Sequence, residues 1–293
     1  MNLADYLSQQ QKTVDAALDR FLPSETTFPA RVHEGMRYSI FAGGKRLRPV
    51  LALAAAEACQ GEEKNALPSA CAVEIMHTYS LVHDDLPCMD DDDLRRGRPT
   101  SHKVYGEGLA VLIGDALLTE TFHILAETIP TERYPLKSLI QEFALCGGSQ
   151  KLIGGQVLDL EGEGRTPSLD ELIKIHENKT AALLTTSLRL GAMSANASVE
   201  QLAALTDFGY HLGLAFQVID DILDVTQSTE MLGKTAGKDA GAEKSTYPAV
   251  LGLEKSRQEA DRLTKKALAA LEPLRPHHQR LEEIAHYLLD RDY

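Results

Sequence analysis

Basic residues are scarce in this chain: 30 Lys and Arg stand against 43 Asp and Glu, a formal net charge of −13. Such a balance argues against non-specific binding of nucleic acid or of an anionic membrane. Cysteine is also scarce. Cys59, Cys71, Cys88 and Cys146 are scattered without CxxC spacing, so neither a disulfide framework nor a zinc site is indicated. No apolar run approaches the roughly 20 residues needed to span a bilayer. The N-terminus, MNLADYLSQQQKTVD, lacks the basic segment and apolar stretch of a secretory leader. There is no repeat period of 20–50 residues, no low-complexity linker and no convincing run of alternating β-branched residues. A reduced, soluble, cytoplasmic protein without a membrane span is expected.

What remains is ordinary globular composition, 43% hydrophobic and 25% charged over 293 residues, enough for a large core. The hydrophobic period is close to 3.6 almost everywhere. Leu202, Leu205, Phe208, Leu212, Phe216, Ile219, Ile222 and Leu223 recur mostly at spacings of three or four. Helices are expected over about 2–21, 30–42, 46–60, 67–85, 105–127, 135–148, 150–160, 169–177, 179–195, 199–226, 246–271 and 276–290. Gly and Pro punctuate several of the gaps. One all-α domain over 1–293 is the expectation.

Two of these helices end in carboxylates. HTYSLVHDDLPCMD and GLAFQVIDDILDV each place an Asp pair at the end of an apolar helix. In the second, Asp220 and Asp224 lie one turn apart on one face, with Asp221 on the flank. Three carboxylates this close repel one another, which raises their pKa values or demands a cation. In the first, Asp84, Asp85, Asp90, Asp91, Asp92 and Asp93 put six acids in ten positions. On an unbroken helix Asp90 would sit about 240° round from Asp84. Pro87 breaks the helix, so the chain can bulge and bring Asp90 back towards the pair. A solvated acidic stripe or loop would read similarly, but surface stripes usually alternate in sign. Oxygen ligands without His or Cys suit a hard cation, Mg²⁺ better than Ca²⁺. Two such clusters facing each other would clamp a diphosphate through several Mg²⁺ ions.

Diphosphate also needs concentrated cations. Gly43-Gly44-Lys45-Arg46-Leu47-Arg48-Pro49 supplies three just before an apolar helix, and glycine lets the backbone approach closely. It is not a P-loop, because Arg46 follows Lys45. A basic surface loop would carry the same residues. Gly106 and Gly108 hint at a dinucleotide fingerprint, but no strand precedes them. Lys234, Lys238 and Lys244 fall near the second cluster, and Lys179-Thr180 opens another apolar helix, whose N-terminus favours anions. His77 lies about two turns before Asp84 on nearly the same face, where a core histidine is equally at home.

In order, GGKRLRP, HTYSLVHDDLPCMDDDDLRRGRPTSH, GGQVLDLEGE, HENKTAALL, QVIDDILDVTQSTEMLGKTAGKD and KSTYP resemble the trans-prenyltransferases over nearly the whole chain. The likeness is greatest to the short-chain, bacterial-type farnesyl diphosphate synthases. It implies an all-α isoprenoid-synthase bundle around a deep central cavity, usually homodimeric. It also implies three Mg²⁺ ions per site (Mn²⁺ the alternative) on Asp84, Asp85, Asp90, Asp220, Asp221 and Asp224, with Asp84, Asp90 and Asp220 the most direct ligands. By the same resemblance Arg95, Lys179, Lys234 and Lys244 contact the allylic diphosphate. Gly44, Lys45, Arg48, His77 and Arg96 match the isopentenyl diphosphate pocket, the loop Gly43-Gly44 through its backbone. Thr180 and Gln217 stand near the developing allylic cation and, with Lys179 and Lys234, form the catalytic set. Gln156 and Asp159 support the metal cluster, and Asp239 orients a metal-bound water; apart from the resemblance, the tail with Arg291 is a candidate to close over the isopentenyl site.

The implied reaction joins isopentenyl diphosphate to dimethylallyl and then geranyl diphosphate, giving (2E,6E)-farnesyl diphosphate. Tyr79 lies about 7.5 Å along the helix axis before Asp84, and Ser80 lies one turn below it. A bulky aromatic at Tyr79 with the inserted Pro87-Cys88 resembles the farnesyl-length arrangement; an aromatic that merely packs the core is the alternative reading of Tyr79. Geranylgeranyl diphosphate synthase is the alternative in the same family. A terpene cyclase would not need the GGKRLRP segment with His77 and Arg96, and a non-catalytic partner subunit would commonly lose its Asp motifs.

Overall fold

The computed structural model describes residues 1–162, 164, 167–226 and 246–289. Helices make up nearly all of the regular structure. In chain order they are α1 (Leu3–Phe21), α2 (Ala30–Ile40), α3 (Leu47–Ala58), α4 (Glu63–Asp84), α5 (Ser101–Tyr105), α6 (Glu107–Leu125), α7 (Leu136–Gly147), α8 (Leu152–Gly162) and α9 (Leu169–His176). They continue with α10 (Ala182–Ser194), α11 (Val199–Thr226), α12 (Tyr247–Leu251), α13 (Leu253–Ala270) and α14 (Gln279–Leu289). Two two-residue strands, β1 (Leu94–Arg95) and β2 (Arg98–Pro99), pair antiparallel with Leu94 opposite Pro99. The turn between them is Arg96-Gly97, both at positive φ, as two-residue hairpin turns require.

The expected helix over 199–226 matches α11 end to end. Two others are split. The 105–127 segment divides at Gly106 and the 246–271 segment at Gly252, each glycine at positive φ, where a helix cannot continue. Helix α4 begins at Glu63, earlier than expected, and carries Pro68 inside it. Between α9 and α10 the helix does not stop: Glu177–Ala181 forms one π-helical turn that joins them. A capping box starts this run, with Ser168 and Glu171 each accepting the other's backbone N–H.

The core forms two apolar clusters that meet at α3 and α10. One packs α11 with α13 and α14 through Phe208, Leu212, Ile219, Leu263 and Leu281. The other packs α4 with α6 and α7 through Ile75, Met76, Ile113, Leu117 and Phe143. The two Asp-bearing helices, α4 and α11, therefore belong to opposite halves, with α10 contacting both. By length and composition, α6 and α11 are each apolar enough to cross a membrane, which corrects the expectation that no segment is. Fourteen of the 28 residues of α11 are buried inside the fold against seven of the 19 of α6. Helix α11 is thus a core helix, and α6 keeps an apolar face outward.

Candidate active site

Helix α4 ends at Asp84 and the chain folds back. The Asp90 amide donates to the Asp84 carbonyl at 2.8 Å and the Asp92 amide to the Asp85 carbonyl at 3.2 Å. Met89 and Asp91 close on the Leu86 carbonyl at 2.9 and 3.1 Å. Pro87 prevents the helix from continuing, and the bulge returns Asp90 to the level of Asp84. Burial pushes the Asp84 carboxyl up to about 6; Lys179 and Arg95 oppose the shift, while Asp90 and Asp85 add to it. Asp85 is 4% exposed and accepts from Arg95 Nε at 2.9 Å. Arg95 also reaches Asp92 at 3.2 Å. Asp85 thereby ties the β1–β2 hairpin to the end of α4.

On α11, Asp221 and Asp224 are buried and Asp220 is half-buried. Asp221 accepts the Tyr247 backbone N–H at 2.9 Å and Gln217 Nε2 at 3.3 Å. His176 Nε2 lies 3.9 Å from the same carboxylate, its ring 5.4 Å from that of Tyr247. Burial lowers His176 to about 4, so the imidazole is neutral at physiological pH. HENKT and KSTYP contain these two residues, but nothing local in either segment reveals that they meet Asp221.

The π turn joins the halves. Lys179 Nζ pairs with Asp159 on α8 at 2.5 Å, and its charge acts on Asp84. Thr180 Oγ1 donates to Gln217 Oε1 on α11 at 3.1 Å. A π turn offsets the backbone register and is frequent at functional sites. Here glycines clasp it from two sides. A Cβ on Gly155 of α8 would lie 2.7 Å from Lys179 Cα, and one on Gly213 of α11 would lie 2.6 Å from Ala181 Cα.

The basic segment is divided in its use. Arg46 is buried at the start of α3 and pairs with Asp15 at 2.7 Å and Glu74 at 2.9 Å, donating also to the Ile40 carbonyl at 2.8 Å. It is therefore spent inside the fold, and removing one partner would leave a buried charge uncompensated. Arg48 faces the cavity with its Nε unpartnered, and burial lowers it to about 10, still cationic. Burial first, then Arg48 and Arg96, hold His77 well below its ordinary value and neutral. Arg96 lies over the Gly43-Gly44 turn: a Cβ on Gly44 would sit 2.5 Å from its Cζ. Gly44, Arg48, His77 and Arg96 thus converge. Lys45 instead stands outside the cavity lining, exposed, its Nζ 5.4 Å from the Tyr287 ring centroid.

Some of these groups line a cavity of about 560 Å³. Arg48, His77, Asp84, Gln156, Lys179 and Thr180 line it, with Tyr79 and Ser80 among its walls and Leu118, Leu152, Ile153, Val157 and Leu183 completing an apolar surface. Gln156 Nε2 has no protein partner. Lys234, Lys238, Asp239, Lys244 and Arg291 lie outside the described residues. One grouping was not anticipated: ligand atoms of Asp91, Asp93 and His102 fall within 4.8 Å of one another, although Lys103 already pairs with Asp93 at 2.7 Å. The oxygen-only donors at Asp84, Asp85 and Asp90, with Asp84 held above the usual carboxylate range, fit a hard divalent cation.

An all-α bundle whose apolar cavity is lined by Asp84, Arg48, His77 and Lys179, with carboxylate clusters ending both α4 and α11, defines a class of enzyme that handles diphosphates bearing hydrocarbon chains. The comparisons agree: a profile of the family described as Polyprenyl synthetase matches residues 29–285, and the chain belongs to that family. A chloroplastic geranylgeranyl pyrophosphate synthase of Catharanthus roseus is 50% identical over 98% of this chain and 81% of its own. Farnesyl diphosphate synthase of Bacillus subtilis (strain 168) is 43% identical over 99% of both. Among solved structures, the Helicobacter pylori geranyltransferase complexed with magnesium and isoprenyl diphosphate superposes with a TM-score of 0.85 at 35% identity, covering 99% of this chain and 97% of that one. The protein is a prenyltransferase of the short-chain, farnesyl or geranylgeranyl type.

Proposed function

We propose that the enzyme is a farnesyl diphosphate synthase, condensing isopentenyl diphosphate head-to-tail with dimethylallyl and then geranyl diphosphate and releasing diphosphate. One observation supports this above the others. A single cavity is lined by Arg48, His77, Asp84, Lys179 and Thr180, with the bulky Tyr79 in its wall. Asp84, Asp85 and Asp90, with Asp220, Asp221 and Asp224, would hold Mg²⁺, three ions per site, or Mn²⁺ in their place. When bound, these ions supply charge neutralisation to the departing diphosphate.

The chain's own groups do the rest. Lys179 and Arg95, with Lys234 and Lys244, hold the allylic diphosphate. Gly44, Arg48 and Arg96 hold isopentenyl diphosphate, neutral His77 offers it a hydrogen bond without repelling the arginines, and Lys45, which stands outside the cavity lining beside Tyr287, takes no direct part. Thr180 and Gln217 present oxygen dipoles to the allylic cation as its C–O bond ionises. Leu118, Leu152 and Leu183 keep water from that cation. The isopentenyl double bond attacks, and the proton lost goes to the leaving diphosphate. No covalent intermediate is needed; positioning and electrostatics carry the reaction. The reading includes a single catalytic domain over 1–293 and a homodimer. Four free cysteines, Cys88 exposed, support a reducing, cytoplasmic setting.

Chain length is what the relatives leave open, since both farnesyl and geranylgeranyl synthases are close. Tyr79 and the inserted Pro87-Cys88 favour C15, while the 50% identity to a geranylgeranyl synthase favours C20 as the second reading. The purified enzyme, given Mg²⁺, isopentenyl diphosphate and dimethylallyl diphosphate, is expected to yield mainly the C15 alcohol after dephosphorylation. Tyr79→Ala is expected to lengthen the product. A wild-type C20 product would select the second reading, and no condensation with any allylic primer would reject both.

A further inference from the structure

The cavity wall around Tyr79 is held from behind by a residue that does not line the cavity. His83 follows Tyr79 by one helical turn on α4, and the two rings meet edge to face at 5.6 Å. Both line the cavity. The imidazole Nε2 is hydrogen-bonded to the Val111 carbonyl of α6 at 3.0 Å. Behind the imidazole lies Gly114, buried and absent from the lining. A Cβ there would stand 2.9 Å from His83 Cε1 and closer still to Nε2 and Cδ2. No side chain fits between α6 and that ring. His83 lines the cavity and Gly114 does not, so a group added at position 114 displaces a ring that forms part of the cavity wall beside Tyr79.

We propose that Gly114 is a specificity-determining position: the space it leaves lets His83 lie back against α6, and His83 in turn sets how far the Tyr79 ring stands into the product cavity. His83 is then a positioning residue that acts through Tyr79. The inference rests on the reading of Tyr79 as the chain-length floor and extends it to α6. Overpacking a well-filled contact forces side chains off their rotamers. Here the displaced group narrows a cavity whose depth decides when elongation stops.

The experiment measures product length, not rate, for wild type, Tyr79→Ala, Gly114→Ala, His83→Ala and the double variant Gly114→Ala/His83→Ala. Each receives Mg²⁺, isopentenyl diphosphate and dimethylallyl diphosphate, with folding checked by circular dichroism. Gly114→Ala is expected to raise the fraction ending one isoprene unit short by about fivefold or more. His83→Ala is expected to shift products longer, because Tyr79 loses its edge contact. In the double variant the methyl has no ring to push, so products should return towards those of His83→Ala alone, a non-additive result. Unshifted products in folded Gly114→Ala overturn the proposal, as does an additive double variant. If Gly114→Ala does not fold, His83→Ala decides: longer products support the inference, and an unchanged distribution overturns it. Tyr79→Ala keeps the two readings apart. If it alone lengthens the product, the floor stands and the Gly114 inference falls; if it changes nothing, the floor reading itself falls.

Discussion

Asp84 is held in a setting that a carboxylate alone does not favour. Burial pushes it up to about 6, and Asp90 and Asp85 add repulsion against the pull of Lys179 and Arg95. The folded value lies above the unfolded one, so its contribution to stability is full below the ordinary carboxylate range and is lost as pH rises through about 6. In EDTA, Asp84→Asn should therefore match wild type in Tm near pH 4 and exceed it above pH 6. The gain should be roughly 1–2 kcal/mol after solvent screening, or a few degrees. The same variant should lose at least about 100-fold in kcat/KM, because the site then lacks a charge that a cation needs. Thermal melts at pH 4, 6 and 8 beside steady-state kinetics check both halves. A variant no more stable than wild type at pH 8 would show that Asp84 is not strained. Arg46 and Arg48 make the contrasting case: two positions apart, one is neutralised by Asp15 and Glu74 while the other faces the cavity.

At the scale of elements, the π turn between α9 and α10 does the positioning, and its geometry depends on what it leans on. With Gly155 packed against the Lys179 backbone, a methyl group there must displace the turn by a large part of an ångström. Gly155→Ala should lower kcat on the order of 100-fold, leave KM for isopentenyl diphosphate within about threefold, and cost roughly 1–3 kcal/mol of stability. Full kcat with an intact fold would mean the turn is not held by this contact. Little of this was legible in the sequence. The 3.6 period placed α11 correctly because its apolar stripe is continuous. Gly106 and Gly252 are not legible as helix breaks, because an isolated glycine leaves that period uninterrupted and only its positive φ ends the helix. The β1–β2 hairpin is too short to alternate. Asp clusters were legible from charge density, and the Pro87 bulge from helix geometry. The fates of Arg46 and Lys45 were not, because Asp15, Glu74 and Tyr287 lie far from them in sequence.

Across the whole molecule, charge and apolar surface are unevenly placed. The chain carries a net charge of −13, yet α6, α7 and α8 leave Leu112, Ile140, Leu145 and Leu158 exposed outside the cavity lining, beside Val111, Ile153 and Val157, which are exposed and also line it. Helix α6 contacts α7, and α7 contacts α8, so these side chains sit on consecutive elements. Apolar surface of this kind usually marks an interaction site. Val111 is 41% exposed and also lines the cavity, so α6 carries part of the cavity wall as well as exposed apolar surface. A second copy of the chain is the occupant proposed here. Sedimentation should then give twice the 32.1 kDa of the chain. Leu112→Glu should bring it to the monomer mass, since Leu112 is 57% exposed and a charge buried in an apolar interface is costly. Because Leu112 is outside the cavity lining, a loss of activity in that variant is expected to follow the loss of the dimer. It should appear as a raised KM for geranyl diphosphate and restore with protein concentration. A wild-type monomer at micromolar concentration would refute the dimer, and a Leu112→Glu variant that stays dimeric would move the interface away from α6.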